Sequence, residues 1–385
     1  MRMPITNLIS TFVLFTFALY FAFNHIERSI SNIFLLLTLL LSLINYKILY
    51  EAMKANYKLV LSVIAFTLYI SFAGYYHGSP ASELDNYYRF FLLLPLLSIS
   101  LNTKYMSYLL FICALAGITT ALYVNAFFDS TFRFQGTSNT AITYGHMCGT
   151  LFMVCIYYLL YKGNRSWLFI FSAIIFLTLL WVTETRGPII GIIIGFVYLA
   201  FKLKSHTGSK LSFKVPLIAL TILLVSVVTI PNPFGERLKE MTNININEPL
   251  KTNSYYLKQR LFYNIYGFEE IKDNYFKGVG PQNVEKRMIQ TLKDKNIDDI
   301  RPTDHLHNDY LDIILKFGVV SIVLLFLVYF FIVTVKNPED RVLITIVMIM
   351  LLSSQLTQSQ FAHHQAITFF ISIFYTFMPK MRRLK

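Results

Sequence analysis

Charged side chains are scarce in this sequence: 14% of its 385 residues, against 55% hydrophobic, with a mean hydropathy of +0.53. A water-soluble domain needs a charged, hydrated surface, so this composition excludes one and describes an integral membrane protein. Cysteine is almost absent. All three, Cys113, Cys148 and Cys155, fall inside apolar runs, which leaves no basis for a disulfide framework. No predicted span carries Asp, Glu, Lys or Arg at its middle, whereas transporters and proton pumps keep ionisable groups near the bilayer midplane. A nucleophile motif of the G-x-S-x-G type is missing, as are internal repeats and low-complexity tracts.

What the chain does have is apolar runs able to cross about 30 Å of hydrocarbon. They lie near 6–23, 30–46, 59–76, 88–101, 106–124, 139–161, 166–183, 188–201, 213–231, 317–335, 342–360 and 366–379, the fourth and eighth being short. The first is longer than the roughly 7–15 residues of a signal-peptide core and lacks a small-residue cleavage site, so it is expected to be retained. The predicted fold class is therefore all-α and membrane-embedded, with about twelve transmembrane helices. Helices one to nine fall in 1–231, a large outer loop with amphipathic helices in 232–316, and helices ten to twelve in 317–385.

Charge placement orients this scheme. With the N-terminus inside, 17 of the 34 Lys and Arg lie on inner segments and only Arg28, Arg89, Arg133 and Arg186 on short outer loops. The other 13 lie in 232–316 and are matched there by 13 acids, so the net charge of +13 is a positive-inside topology signal. The partner it implies is membrane lipid, and no nucleic acid is implied.

Polar chemistry is concentrated in a few places. Asp304-His305-Leu306-His307-Asn308-Asp309-Tyr310-Leu311-Asp312 holds two imidazoles and three carboxylates and runs straight into an apolar segment. Leu311, Ile314 and Leu315 fall at helical spacing, predicting a short interfacial helix that carries His307 one turn from Leu311. On a helix His305 and His307 would diverge. In an extended stretch they could converge and, with Asp304 and Asp309, form a zinc site, although nothing in the pattern is specific to zinc. The adjacent His363 and His364 are a weak metal pair for the same reason.

Thr183-Glu184-Thr185-Arg186-Gly187-Pro188 is a tight hinge, with Pro188 accommodated in the first turn of the following helix. A guanidinium there adds to the positive end of the helix dipole and suits an anion, the bland alternative being a Glu184–Arg186 pair. The loop 125–140 offers Arg133, which suits either a substrate or a lipid headgroup, with Asp129 close by. Residues 254–273 place Leu257, Leu261, Phe268 and Ile271 near one stripe, with Arg260 beside it, predicting an amphipathic helix. The charged run 285–301 is expected to be an irregular, solvated cover. Arginine forks suit phosphate and diphosphate oxygens, and histidine suits proton transfer near neutral pH. Together they suit displacement of a lipid diphosphate by a hydroxyl.

His307-Asn308, nine residues and then Gly318 resembles the histidine motif of the bacterial O-antigen ligase and polymerase superfamily. The Thr-Glu-Thr-Arg186-Gly187 hinge, Gln259-Arg260-Leu261 followed by Gly278-Val279-Gly280, and Arg133 with Gly136 and Asn139 are similar to its other features, in the same order over about 120–335. One departure is Ser321, where the family often has a second glycine, which bears on helix packing. The resemblance implies a GT-C-like glycosyltransferase architecture in the bacterial inner membrane, with its site on the periplasmic side. It implies an undecaprenyl-diphosphate-linked glycan as donor and the lipid A–core oligosaccharide as acceptor, without metal or other cofactor. His307 would activate the acceptor and Arg186 and Arg260 would bind the diphosphate. His305, Asn308, Arg133 and Glu184 would support them. The alternatives are a polymerase joining lipid-linked repeats, a protein O-oligosaccharyltransferase, and a non-enzymatic transporter of the lipid-linked glycan.

Overall fold

A computed structural model describes residues 29–44, 46–98, 105–127, 140–207, 255–334 and 338–377. The first and ninth predicted spans, and the loop carrying Arg133, Gly136 and Asn139, lie outside the described residues. Within them all regular structure is helical. The α-helices are α1 (Ser29–Ile44), α2 (Tyr46–Ala55), α3 (Tyr57–Tyr76), α4 (Ala81–Leu92), α5 (Met106–Phe127), α6 (Ala141–Ile156) and α7 (Trp167–Val182). They continue with α8 (Gly187–Thr207), α9 (Tyr255–Asn274), α10 (Val284–Asp294), α11 (Asp309–Phe317), α12 (Val319–Val333), α13 (Pro338–Thr357) and α14 (His364–Phe377).

Four of these are long and apolar enough to cross a membrane: α3, α5, α6 with its π-turn extension to Tyr161, and α8. Apolar but shorter are α7, α12 and the Arg341–Thr357 part of α13. Large apolar side chains such as Leu68 and Phe72 on α3 and Val323 on α12 face outward, as lipid-facing residues do. The expected fourth span at 88–101 is not one helix. Its place is taken by the end of α4 and a 3₁₀ turn at Leu94–Ser98, because Pro95 lacks the N–H that an α-helix would need there.

Arg89 is likewise not on an outer loop. It is 1% exposed within α4, ion-paired with Asp85 at 2.7 Å and donating to Thr368 Oγ1 on α14 at 2.8 Å. The charge is tolerated because an acid one turn back and a hydroxyl on the facing helix replace its water.

The centre of the bundle is α6, started by Thr140, whose side chain accepts from Thr143 N. It packs against α7, α8 and α13. Glycines let α8 come close: Gly187, Gly191 and Gly195 recur every four residues on one face. A Cβ at Gly191 would meet Ser353 Oγ at 2.3 Å, and one at Gly195 would meet Met153 Cε at 2.9 Å. Such small-xxx-small stripes bring helix backbones together where lipid supplies no hydrophobic drive for association.

The long segment after the bundle forms its own small core. Phe262, Tyr263 and Tyr266 of α9 pack with Val284, Met288 and Leu292 of α10 and with Ile300, Leu306 and Leu315. The helix expected at 254–273 is present, but its buried ridge is this aromatic set, and Phe268 is exposed. The tyrosines can be buried because their hydroxyls donate to Arg301 O at 2.6 Å and Val284 O at 3.2 Å. The expected solvated cover at 285–301 is also corrected, since α10 is amphipathic and inserts Met288 and Leu292 into that core. High charge density on its outer face hid a three-residue apolar stripe.

The subdomain is locked to the bundle by backbone. Val279 N donates to Leu315 O at 2.7 Å, Gly280 N to Lys316 O at 3.0 Å and Val319 N to Tyr275 O at 2.9 Å. Gly278 and Gly318 both have positive φ, and a Cβ at either would run into backbone of the other strand of this crossing. Ser321 keeps α11 and α12 close without a glycine, its buried hydroxyl donating to Gly318 O at 2.5 Å and to Ile313 O at 3.1 Å.

Candidate functional site

The histidine stretch is not the start of a helix. Residues 301–308 are extended or bent, and α11 begins at Asp309, where the Asn308 side chain accepts from Tyr310 N and Leu311 N. Asn308 is thus an N-cap, a role that separates His307 from the helix expected to carry it. His307 has φ of 54°, a left-handed conformation that costs energy in a residue other than glycine. This turn brings the rings of His305 and His307 to 4.5 Å between centroids, edge to face.

The carboxylates around them are fasteners. Asp304 bonds to His305 Nδ1 at 2.6 Å, which holds its carboxyl well below the usual carboxylate range. Asp312 accepts from Leu306 N at 3.0 Å and pairs with Lys316 at 2.7 Å. Asp309 accepts from Gln360 N at 2.9 Å and Phe361 N at 3.2 Å, and its burial, then Asp312 beside it, push its pKa well up. The zinc reading therefore loses Asp309, whose carboxylate is spent on backbone amides. Among the described residues no three His, Cys, Asp or Glu side chains are arranged to hold a metal ion.

His307 is gripped from α13. Gln358, directly after that helix and 2% exposed, places Oε1 at 2.9 Å from His307 Nδ1 and Nε2 at 3.0 Å from His363 Nε2. On its other side the His307 ring lies 5.6 Å from that of Tyr263. Burial, then the nearby His305, pull the His307 pKa down to about 3, with Arg260 adding to the effect and the Gln358 bond opposing it. His363 falls to about 4, again mainly through burial. Both rings are neutral in the resting protein near pH 7.

Arg260, half-buried on α9, donates from Nη1 to the carbonyl of Thr357 at 2.7 Å. The Thr357 hydroxyl lies 3.4 Å from Nε2 of His146, a fully buried imidazole in the first turns of α6. Gly187 closes the corner: a Cβ there would sit 2.3 Å from Thr357 Oγ1 and 2.7 Å from His146 Nε2. Arg186 is the residue before it, half-buried at the N-terminus of α8. The hinge is seated on α6 by Thr185 Oγ1, which donates to Ala141 O at 3.0 Å, while Glu184 is exposed with φ of 53°.

Adjacent residues at the end of α13 thus gather elements far apart in sequence: Thr357 touches Arg260 and the residue after Arg186, and Gln358 touches His307. His305 lies against His307, and Asn308 contributes through its cap. Arg133 is outside the described residues. Thr357, Gln358 and His146 were not anticipated, and His363, noted in the sequence only as half of a weak metal pair with His364, enters the site through Gln358. Of the first three only His146, an imidazole in an otherwise apolar span, stands out in the sequence.

These features define a helical membrane protein with a polar, imidazole-and-guanidinium site at one end of its bundle. Residues 171–326, less than half of the chain, match the family model described as O-antigen ligase, which supports a kinship of this segment with the O-antigen ligase superfamily. The matched segment runs from α7 into α12 and contains Arg186, Arg260, His305, His307 and Asn308, whereas Gln358 and His363 fall beyond it. No curated protein matches the chain.

Proposed function

We propose that the protein is an O-antigen ligase, a glycosyltransferase that moves a glycan from undecaprenyl diphosphate to the lipid A–core oligosaccharide at the periplasmic face of the bacterial inner membrane. The acceptor oxygen bonds to the anomeric carbon as the bond from that carbon to the diphosphate breaks, its electron pair leaving on the diphosphate. The hydroxyl proton passes to His307. Arg186 and Arg260 bind the departing diphosphate, and a guanidinium fork at the positive end of a helix dipole suits its oxygens. His305 and Glu184 support the site from its rim.

The observation that carries this reading is the corner at Thr357 and Gln358. It presents a neutral, buried imidazole beside a guanidinium, as deprotonation of a hydroxyl next to a departing anion requires. The polymerase reading needs the same chemistry with a second lipid-linked glycan as acceptor.

The test is transfer by the purified protein in lipid nanodiscs, given carrier-linked glycan and either lipid A–core or a second carrier-linked repeat. Glycosylated lipid A–core formed without nucleotide supports the ligase. Lengthened carrier-linked chains alone would mean a polymerase, and binding without any new glycosidic bond would overturn the enzymatic reading.

A further inference from the structure

We propose that Gln358 is the positioning residue of this site: its buried amide bridges His307 and His363 and holds His307 as the tautomer whose Nε2 carries the basic lone pair. The inference rests on the reading of His307 as the base, and it adds which nitrogen acts and what selects it.

The geometry is specific. Gln358 is 2% exposed, and its backbone N donates to Ser354 O at 2.9 Å, so it is carried by the last turn of α13. Its carbonyl oxygen, 2.9 Å from His307 Nδ1, can only accept. That contact places the His307 proton on Nδ1 and leaves Nε2 as the acceptor. Its NH₂ group, 3.0 Å from His363 Nε2, can only donate, so His363 carries its own proton on Nδ1. One amide therefore assigns two rings.

The partner is also electrically neutral. His305, by contrast, has a carboxylate at its Nδ1, Asp304 at 2.6 Å. His307 faces Arg260, His305, His363 and the Tyr263 ring, and the Asp304 carboxylate bonds to His305. A carboxylate at position 358 would raise the pKa of His307 and protonate it at rest. An amide orients the ring without doing so, and the imidazolium forms only when the acceptor gives up its proton.

The experiment uses the full chain in nanodiscs with two variants, Gln358→Met, which keeps the length but neither hydrogen bond, and Gln358→Glu. In ¹⁵N-histidine-labelled wild-type protein the His307 signal, assigned by its loss in His307→Ala, is expected to show a protonated Nδ1. Gln358→Met is expected to lower kcat about 10- to 100-fold, with KM for the carrier-linked glycan held within about twofold, as lost orientation of a general base predicts. Gln358→Glu is expected to recover part of that kcat and to move the acid limb of kcat/KM up by about one pH unit or more.

A wild-type His307 protonated on Nε2 overturns the proposal, as does Gln358→Met with unchanged kcat and pH profile. Should Gln358→Met fail to fold, the wild-type tautomer still decides. Full activity in His307→Ala would sink the catalytic reading alone, because the tautomer is measured without turnover.

Discussion

Gly187→Ala tests whether the contact between α8 and α13 sets the spacing of the arginine and histidine elements. The new methyl would lie 2.3 Å from Thr357 Oγ1 and 2.7 Å from both Cε1 and Nε2 of His146. Rotating the threonine relieves the first overlap but not the second, since His146 is fully buried in α6. Overpacking of this kind costs about 1–3 kcal/mol. The cheapest relief is for the start of α8 to move away from α13, carrying Arg186 away from the residues that hold Arg260 and His307. A misplacement of about 1 Å can lower turnover by about 10²-fold, so kcat/KM for transfer in nanodiscs is expected to fall about 10- to 100-fold. Gly195→Ala is the control, because on the same stripe its Cβ meets the flexible end of Met153 at 2.9 Å. It should fold and transfer like the wild type. If Gly187→Ala keeps its rate within about twofold, or if both variants lose activity equally, the α8–α13 contact does not position the site.

His307→Gly should lower kcat by about 10²- to 10⁴-fold as a general base is removed. Its thermal midpoint in detergent should lie above that of His307→Ala, which loses the same ring and the same bond to Gln358 but keeps a Cβ at φ of 54°; a lower midpoint would contradict that backbone reading. Arg186→Lys should be severely impaired, since an ammonium cannot reproduce a bidentate fork, and near-normal rates would indicate charge steering alone. For pH, the folded His307 near 3 and His363 near 4 lie below the unfolded value of about 6.5. As pH falls through 6.5 the unfolded chain takes up protons that the folded one does not, so between about pH 6.5 and 4 the melting midpoint should drop more steeply in the wild type than in His363→Ala, and equal slopes would refute the buried neutral rings. Asp309, pushed upward, works in the opposite sense. The acid limb of kcat/KM should lie below 6.5, and that of kcat higher, because the bound diphosphate favours the charged ring. Saturating EDTA should leave the rate unchanged, and strong inhibition would revive the metal reading.

What the sequence revealed was local, and what it concealed was distant. The apolar runs anticipated α3, α5 to α8 and α12 to α14 because each run meets lipid or core along its whole length. The short helix at 309–317 was expected too, but its start was misplaced. Asn308 has the composition of a cap, yet only its bonds to Tyr310 N and Leu311 N show that His307 stands outside the helix. Arg89 was misassigned because one of its partners, Thr368, is 279 residues away. Gln358 was invisible for the same reason: it meets His307 across 51 residues. A glutamine near the end of an apolar run reads as an ordinary interfacial polar residue until its facing helix is known. The glycine stripe of α8 was legible in principle, because a four-residue repeat of glycine in an apolar helix signals close packing. Reading it would have shown that α8 packs closely on other helices, but not that they are α6 and α13 or that Thr357 and Gln358 stand at the contact. Motif residues can be found one by one because each keeps its chemistry in isolation. A residue that acts only by holding another can be found only through the contact it makes.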